Sequence, residues 1–235
     1  MTSSKILFYL FSLVLLSSCS GTYKRHYQTL KLAFQTQSDV KPSYAYVRDS
    51  SSDLLEIKRG DRAKIIMALG YIKSGQSTWV SSDKVLLTIE QGRIVKTTGF
   101  LNDLLYLSNI KSDPLKFVSK NIKVTKNQNN WIRINDWKNG EYGHQVTSSF
   151  SDGGQATLKI LSKDIDTKIL VENVSYQEPK YFIQLNNKWI NYYWFDVHTG
   201  KLIKSRQLLH PLDEPIDMTY LSRVVRIVSA KNNIE

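Results

Sequence analysis

Hydrophobic positions change rhythm along this chain, and each rhythm predicts a different element. An unbroken apolar or weakly polar run of eleven residues, Ile6 to Leu16, follows Lys5 and ends in Ser17 and Ser18. Next, Tyr23, Tyr27, Leu30 and Phe34 recur at four, three and four residues, with Lys24, Arg25, Gln28 and Lys31 elsewhere on the wheel; this spacing predicts a short amphipathic helix. From Ser43 the texture becomes short β-branched and aromatic runs broken by turn residues. "SYAYVR", "AKIIMALGYI", "STWVSS", "KVLLTIE" and "RIVKTT" read as successive strands, the last two joined through Gln91-Gly92.

"GFLNDLLYLSN" interrupts the alternation, because Leu101, Leu104, Leu105 and Tyr106 suit a short internal helix better. Behind a turn at Asp152-Gly153-Gly154, Ala156, Leu158 and Ile160 alternate with Thr157 and Lys159, as in a strand with one buried face. The stretch 180–207 reads as three strands with turns at Asn186-Asn187 and at Asp196–Gly200. The end, "MTYLSRVVRIVSAKNN", fits a closing strand or a helix, with strand preferred through Val224–Val228. The pattern predicts an all-β, mainly antiparallel fold: a single barrel- or sandwich-like domain with a short amino-terminal amphipathic helix and one short internal helix. No repeat of 20 to 50 residues points to a propeller or solenoid.

The opening run is too short for a membrane span, which needs about 20 apolar residues, and has the layout of a bacterial export signal. Leu16-Ser17-Ser18-Cys19 is similar to a lipobox, in which an aliphatic residue and two small ones precede a cysteine that is acylated. Cys19 is the only cysteine of the chain. We therefore expect residues 1–18 to be a signal peptide and residues 19–235 to be the mature domain, lipidated at Cys19. That resemblance also implies an outer-membrane destination, since Ser20 rather than aspartate follows the cysteine.

Charge changes the picture little. Loss of residues 1–18 removes one lysine and no acid, so a net +11 becomes +10 over 217 residues. For an exported chain the fitting counter-charges are lipid or lipopolysaccharide phosphates or an acidic polysaccharide, and nucleic acid is excluded by compartment. No run of basic residues marks a patch.

Candidate chemistry is sparse. "WINYYWFD", residues 189–196, is the densest aromatic stretch. One side carries Trp189, Tyr193 and Phe195, and the other Ile190, Tyr192 and Trp194. Such a strand is either packed on both faces or packed on one while offering rings to a sugar on the other. Trp189, Tyr193 and Trp194 are the candidate surface contacts. Trp79, Trp131 and Trp137 read as structural. "DVHTGK" is a tight turn and not a Walker loop. His26, His144, His198 and His210 have no metal-ligand spacing, no Gly-x-Ser-x-Gly elbow exists, and no cofactor or catalytic residue is assigned.

Several motifs together give a resemblance. Leu69-Gly70-Tyr71, Trp79-Val80-Ser81-Ser82-Asp83, Gln91-Gly92-Arg93, Asp113-Pro114-Leu115, "SSFSDGG" at 148–154, "YWFDVHTGKLIKSRQ" at 193–207 and "EPIDMTYL" at 214–221 are similar to stretches of the YjbF/GfcB (YmcC) family. That family of lipoproteins is associated with group 4 capsule and exopolysaccharide production. The resemblance implies a β-rich outer-membrane lipoprotein, periplasm-facing, anchored by lipid and working beside other polysaccharide-export proteins, with the polymer itself as a candidate contact. It implies no catalytic residue. The expected function is a non-enzymatic accessory in polysaccharide secretion or assembly. The alternatives are a polysaccharide-modifying hydrolase and a direct polysaccharide-binding module.

Overall fold

A computed structural model describes residues 38–117, 130–138, 141–176 and 187–232. Cys19, the expected signal peptide, the amphipathic helix at 23–34 and the first of the three strands expected in 180–207 lie outside the described residues. Twelve strands form one antiparallel sheet: β1 Leu54–Arg59, β2 Ile65–Lys73, β3 Gln76–Val80, β4 Leu86–Glu90, β5 Arg93–Thr98, β6 Leu104–Leu107, β7 Trp131–Trp137, β8 Glu141–Ile160, β9 Lys163–Tyr176, β10 Lys188–Asp196, β11 Leu202–Gln207 and β12 Ile216–Thr219. Their order is β5-β4-β3-β2-β1-β12-β11-β10-β9-β8-β7-β6. Sequence neighbours therefore lie side by side throughout, except where β12 inserts between β1 and β11.

The two ends of that order, β5 and β6, are consecutive in the chain, and the sheet is a nearly closed barrel. Side chains bridge the seam in place of a backbone ladder. Thr97 on β5 donates its hydroxyl to Asp103 (3.0 Å) and accepts the amide of Leu104 on β6 (2.8 Å). Asp103 also accepts the amides of Gly99 and Phe100, which turns the chain straight from one strand into the next. This explains the first departure from the sequence pattern. Leu104–Leu107 is a strand and not a helix, with Leu104 and Leu107 buried and Leu105 and Tyr106 outward. The helical geometry comes later, as single 3-10 turns at Ile110–Ser112 and Pro114–Phe117.

Alternation delivers the core. Leu55, Met67, Trp79, Leu87, Ile94, Leu104, Trp137, Val146, Leu170 and Met218 belong to one interior cluster drawn from nearly every strand. Burying each such side chain contributes about 1.5–3 kcal/mol before chain entropy is counted. Trp79, Trp131 and Trp137 are all buried there, as their structural reading requires.

Two helices correct the sequence reading. "SYAYVR" is helix α1, Tyr44–Arg48, because the Ser43 hydroxyl caps it by accepting the amide of Tyr46. The carboxyl end is helix α2, Leu221–Asn232. Leu221, Val224, Val225 and Val228 stand at i, i+3, i+4 and i+7, a helical stripe that outweighs the strand preference of valine. The stripe packs on outward residues of the sheet: Leu54, Ile66 and Ala68 near one end, Ile165 and Ile203 near the other. Ile160 and Leu161, at the tip of the long β8–β9 hairpin, reach the same helix. Asp152-Gly153-Gly154, expected to be a turn, is a bulge inside β8: pairing with β9 runs on either side and shifts between Asp152 and Gln155.

The turns at 91–92 and 196–200 are as read. Gln91 and Gly92 both have positive φ, 50° and 92°, which suits a two-residue hairpin. A Cβ on Gly92 would collide with Cδ2 of Leu202, across the barrel on β11. Gly92→Ala is expected to cost about 1–3 kcal/mol from its backbone conformation. It should cost more than Gly75→Ala, whose φ is +81° but whose Cβ would meet nothing within 4 Å. Denaturant midpoints of the two variants check this: equal losses would mean that Leu202 yields without penalty.

Candidate functional site

The alternation of β10 decides what its aromatic stretch can do. Trp189, Asn191, Tyr193 and Phe195 point into the barrel, while Ile190, Tyr192 and Trp194 point out. Trp189 is 8% exposed and Tyr193 0%, so neither offers a surface to a ligand, and both leave the set of candidate contacts. Trp194 stays in it, and Tyr192, which sequence reasoning did not single out, joins it.

Outside, Tyr192 and Trp194 lie with ring centroids 5.8 Å apart and planes at 30°. Register sets their neighbours. Val171 and Ile169 of β9 lie opposite on one side; Arg206 and Lys204 of β11 lie opposite on the other. The ammonium of Lys204 sits 5.2 Å from the Trp194 ring centroid, within cation–π range. Arg206 is 3.6 Å from Asp217. The bulge keeps the far side low: a Cβ on Gly153 would come within 2.8 Å of both Val171 and Ile169. The result is two tilted rings beside aliphatic side chains, edged by two cations. Such a surface suits a sugar ring carrying negative charge, through C–H contact with the rings and attraction by the edge.

The inward face builds a second assembly that scattered charges in the sequence did not reveal. Arg93 of β5 donates through Nε and Nη2 to Asp113, in the connection between β6 and β7, and through Nη1 to Glu172 of β9 (3.0 Å) and to Tyr193 (3.1 Å). Tyr193 and Asn191 donate to the same Glu172 oxygen at 2.9 and 3.0 Å. Ser148 donates to the other at 2.5 Å and accepts from Arg133 at 2.6 Å. The ring of Trp131 is shared by both guanidiniums, with Cζ of Arg93 at 4.4 Å and of Arg133 at 4.5 Å from its centroid. All these charged groups are buried, and two arginines balance two carboxylates.

Electrostatics fixes the states of this cluster. Burial alone would raise the Glu172 pKa, but the charges of Arg93 and Arg133 and the hydrogen bonds from Ser148 and Asn191 bring it down from 4.5 to about 2. Burial pulls Arg133 down to about 10, with Glu172 holding its proton on, so it stays charged at neutral pH. Burial likewise drives the Tyr193 phenol well above its ordinary value. A general acid or base works best with a pKa near the operating pH. Glu172, ionised and with both oxygens occupied, is placed to hold the barrel together and not to move protons.

A third assembly ties opposite walls. Gln207 of β11 donates to the carbonyl of Gly92 (2.8 Å) and accepts the amide of Ile94 (3.2 Å), joining β11 to the start of β5. At the next turn, Asp196 accepts the amide and hydroxyl of Thr199, and Gly200 takes φ +67°, which is the turn expected of "DVHTGK".

Comparison with known proteins places this architecture. Residues 27–221 match the family model described as group 4 capsule polysaccharide lipoprotein gfcB, YjbF. The lipoprotein GfcB of Escherichia coli (strain K12) is 27% identical over 88% of this chain and 92% of its own. YjbF of the same organism is 25% identical over 88% of this chain and 93% of its own. Both are described as uncharacterized. Among solved structures, the hypothetical lipoprotein YmcC of E. coli (K12) superposes with a TM-score of 0.65 at 28% identity, covering 76% of this chain and 88% of that one.

Proposed function

The chain belongs to the YjbF family of group 4 capsule polysaccharide lipoproteins, and on that premise we propose that it is a lipid-anchored, non-enzymatic accessory in capsule or exopolysaccharide secretion or assembly. The observation that carries this reading is the family match over residues 27–221. Acylation at Cys19 would hold the β domain at the periplasmic side of the outer membrane, beside other export proteins. The work done is placement: a rigid body held at one surface, presenting side chains to a partner or to the polymer.

A direct contact with polysaccharide is favoured by one feature, the outward pair Tyr192 and Trp194 with Lys204 and Arg206 at its edge. A non-enzymatic role is supported by the condition of Glu172, which is ionised and fully hydrogen-bonded.

Deletion of the gene tests the reading in a strain whose capsule or exopolysaccharide is being made. Surface polymer is expected to fall several-fold and to return with the wild-type gene; unchanged secretion would overturn the accessory role. Complementation with a Tyr192→Ala/Trp194→Ala variant, folded by circular dichroism, is expected to restore secretion only in part. Full restoration would remove the aromatic pair from the mechanism and leave the accessory role standing. Trp189→Ala serves as the contrasting inward change, expected to cost about 3–5 kcal/mol of stability.

A further inference from the structure

On another part of the domain, a cleft of about 500 Å³ lies where the β4–β5 and β10–β11 turns meet the start of α2. Its charge is one-sided. Lys116, Lys201, Arg223 and Arg226 line it, and no carboxylate does. Two of these cations are neutralised by neighbours outside the lining: Lys116 pairs with Glu90 at 2.7 Å, and Arg226 makes a two-pronged pair with Asp53 at 2.6 and 2.9 Å.

The other two are not. Among the described residues, Lys201 makes no ion pair. Arg223 donates to the carbonyl of Leu202 and lies 4.2 Å over the ring of Tyr220, with no carboxylate in ion-pair range among the described residues. Burial is the main cause that lowers its pKa, with Arg226 adding to the fall and Tyr220 and Asp53 opposing it. Arg223 is half-buried, so a guanidinium there with no carboxylate in contact is under-compensated, and an anion entering the cleft would offset that.

An independent observation points the same way. Tyr220 also lines the cleft and is 4% exposed, yet its hydroxyl has no hydrogen-bond partner among the described residues. Buried hydroxyls ordinarily find one, and leaving one unmet costs about 1–3 kcal/mol. The cleft thus gathers two cations with no carboxylate in ion-pair range among the described residues, beside the ring of a tyrosine whose hydroxyl is buried and unmet. Its volume lies in the range of small-molecule sites, about 300–1,000 Å³, and far exceeds a bare oxyanion.

We propose that this cleft binds an anionic sugar, one carrying a carboxylate or a phosphate, with Lys201 and Arg223 holding the charged group. The saccharide part of the inference rests on the polysaccharide reading above; the anion part rests on the cleft alone. The site is separate from the Trp194 surface, and Lys204 of that surface does not line it.

The test is calorimetric titration of the full chain in detergent with four probes: glucuronate, glucose 1-phosphate, inorganic phosphate and glucose. Saturable binding of glucuronate or of glucose 1-phosphate, with glucose silent and inorganic phosphate weaker, is expected, and whichever sugar binds identifies the charged group. Lys201→Gln and Arg223→Gln should each weaken that binding about tenfold, the loss of a charge-assisted contact; Lys96→Gln, an exposed change outside both the cleft and the Trp194 surface, should leave it unchanged. Lys201 is exposed, so its variant remains informative should Arg223→Gln fold poorly. Three results overturn the proposal: no binding of either anionic sugar, binding indifferent to both cleft variants, or inorganic phosphate binding as tightly as the sugars. None of them would alter the deletion phenotype, so failure of the cleft and failure of the accessory role are distinguishable.

Discussion

Glu172→Gln is expected to cost about 3–5 kcal/mol, the usual penalty for removing one partner from a buried ion pair. The reason lies in what remains. Without the carboxylate, Arg93 keeps Asp113, but Arg133 is left buried with no countercharge in ion-pair range among the described residues. A domain whose whole stability is about 5–15 kcal/mol would lose a large share of it, with a fall in Tm of about 10 °C or more. Denaturant unfolding of wild type and variant measures the difference, and a loss under about 1 kcal/mol would show that the cluster is electrostatically slack. Adding Arg133→Met to Glu172→Gln should recover part of the loss, because the surviving Arg93–Asp113 pair is balanced.

The same carboxylate sets an acid limit. Its pKa is depressed in the folded state, to about 2 from an ordinary 4.5. The stability it contributes is therefore present in full above the unfolded value and is lost as pH falls from about 4.5 toward 2. A depression of that size corresponds to roughly 3 kcal/mol, in line with the mutational figure. Wild type should lose stability steeply across this window, and Glu172→Gln should be flatter there.

That this cluster escaped the sequence reading has a physical cause. Its members stand 20, 79 and 100 positions apart, counted from Arg93 to Asp113, Glu172 and Tyr193. Only closure of the barrel brings them together, and a lone Arg or Glu in a strand reads as an outward, solvated residue. Even so, several lie within the motifs that carried the family resemblance: Arg93 after Gln91-Gly92, Asp113 before Pro114-Leu115, Ser148 in "SSFSDGG", and Tyr193 at the start of "YWFDVHTGKLIKSRQ". Those motifs were legible as similarity and not as electrostatics.

Strands with clean alternation were legible directly. Residues 65–98 form β2 to β5 as the pattern indicated, with turn chemistry at Gln91-Gly92 supplying the register. The errors fall where a few β-branched or aromatic residues serve a helix. In Tyr44–Arg48 one serine cap outweighs apparent alternation, and in Leu221–Asn232 the deciding signal was the spacing of the buried residues, not their type. The aromatic strand was legible in its two faces, but not in which one turned inward. That choice was made by Asn191, whose amide is committed to Glu172 and whose carbonyl accepts Leu208. Fixing Asn191 inside carries Trp189 and Tyr193 with it and sends Tyr192 and Trp194 outward, since side chains alternate strictly along a strand.

The other large effect is expected at Cys19, the residue through which the proposed anchoring would act. Cys19→Ser replaces the sulfur that would carry the lipid with a hydroxyl, which the acylation chemistry of a lipobox does not use. Each buried methylene contributes about 0.8 kcal/mol, so two or more chains give stable anchoring and none gives almost nothing. No helix among the described residues is long and apolar enough to cross a membrane and take the lipid's place. If the proposed outer-membrane anchoring holds, the variant leaves that membrane fraction nearly completely, either as a soluble periplasmic protein or as an uncleaved precursor held at the inner membrane. Fractionation of the envelope, with a palmitate label as a second readout, measures this. Because the Glu172 cluster is made by residues within 93–193, its acid limit and its response to Glu172→Gln should be unchanged in the variant, while polysaccharide secretion falls as it does on deletion. Retention of Cys19→Ser in its original membrane, processed and unlabelled, would break the link between anchor and function; secretion at the wild-type level despite its release would show that the folded body alone suffices.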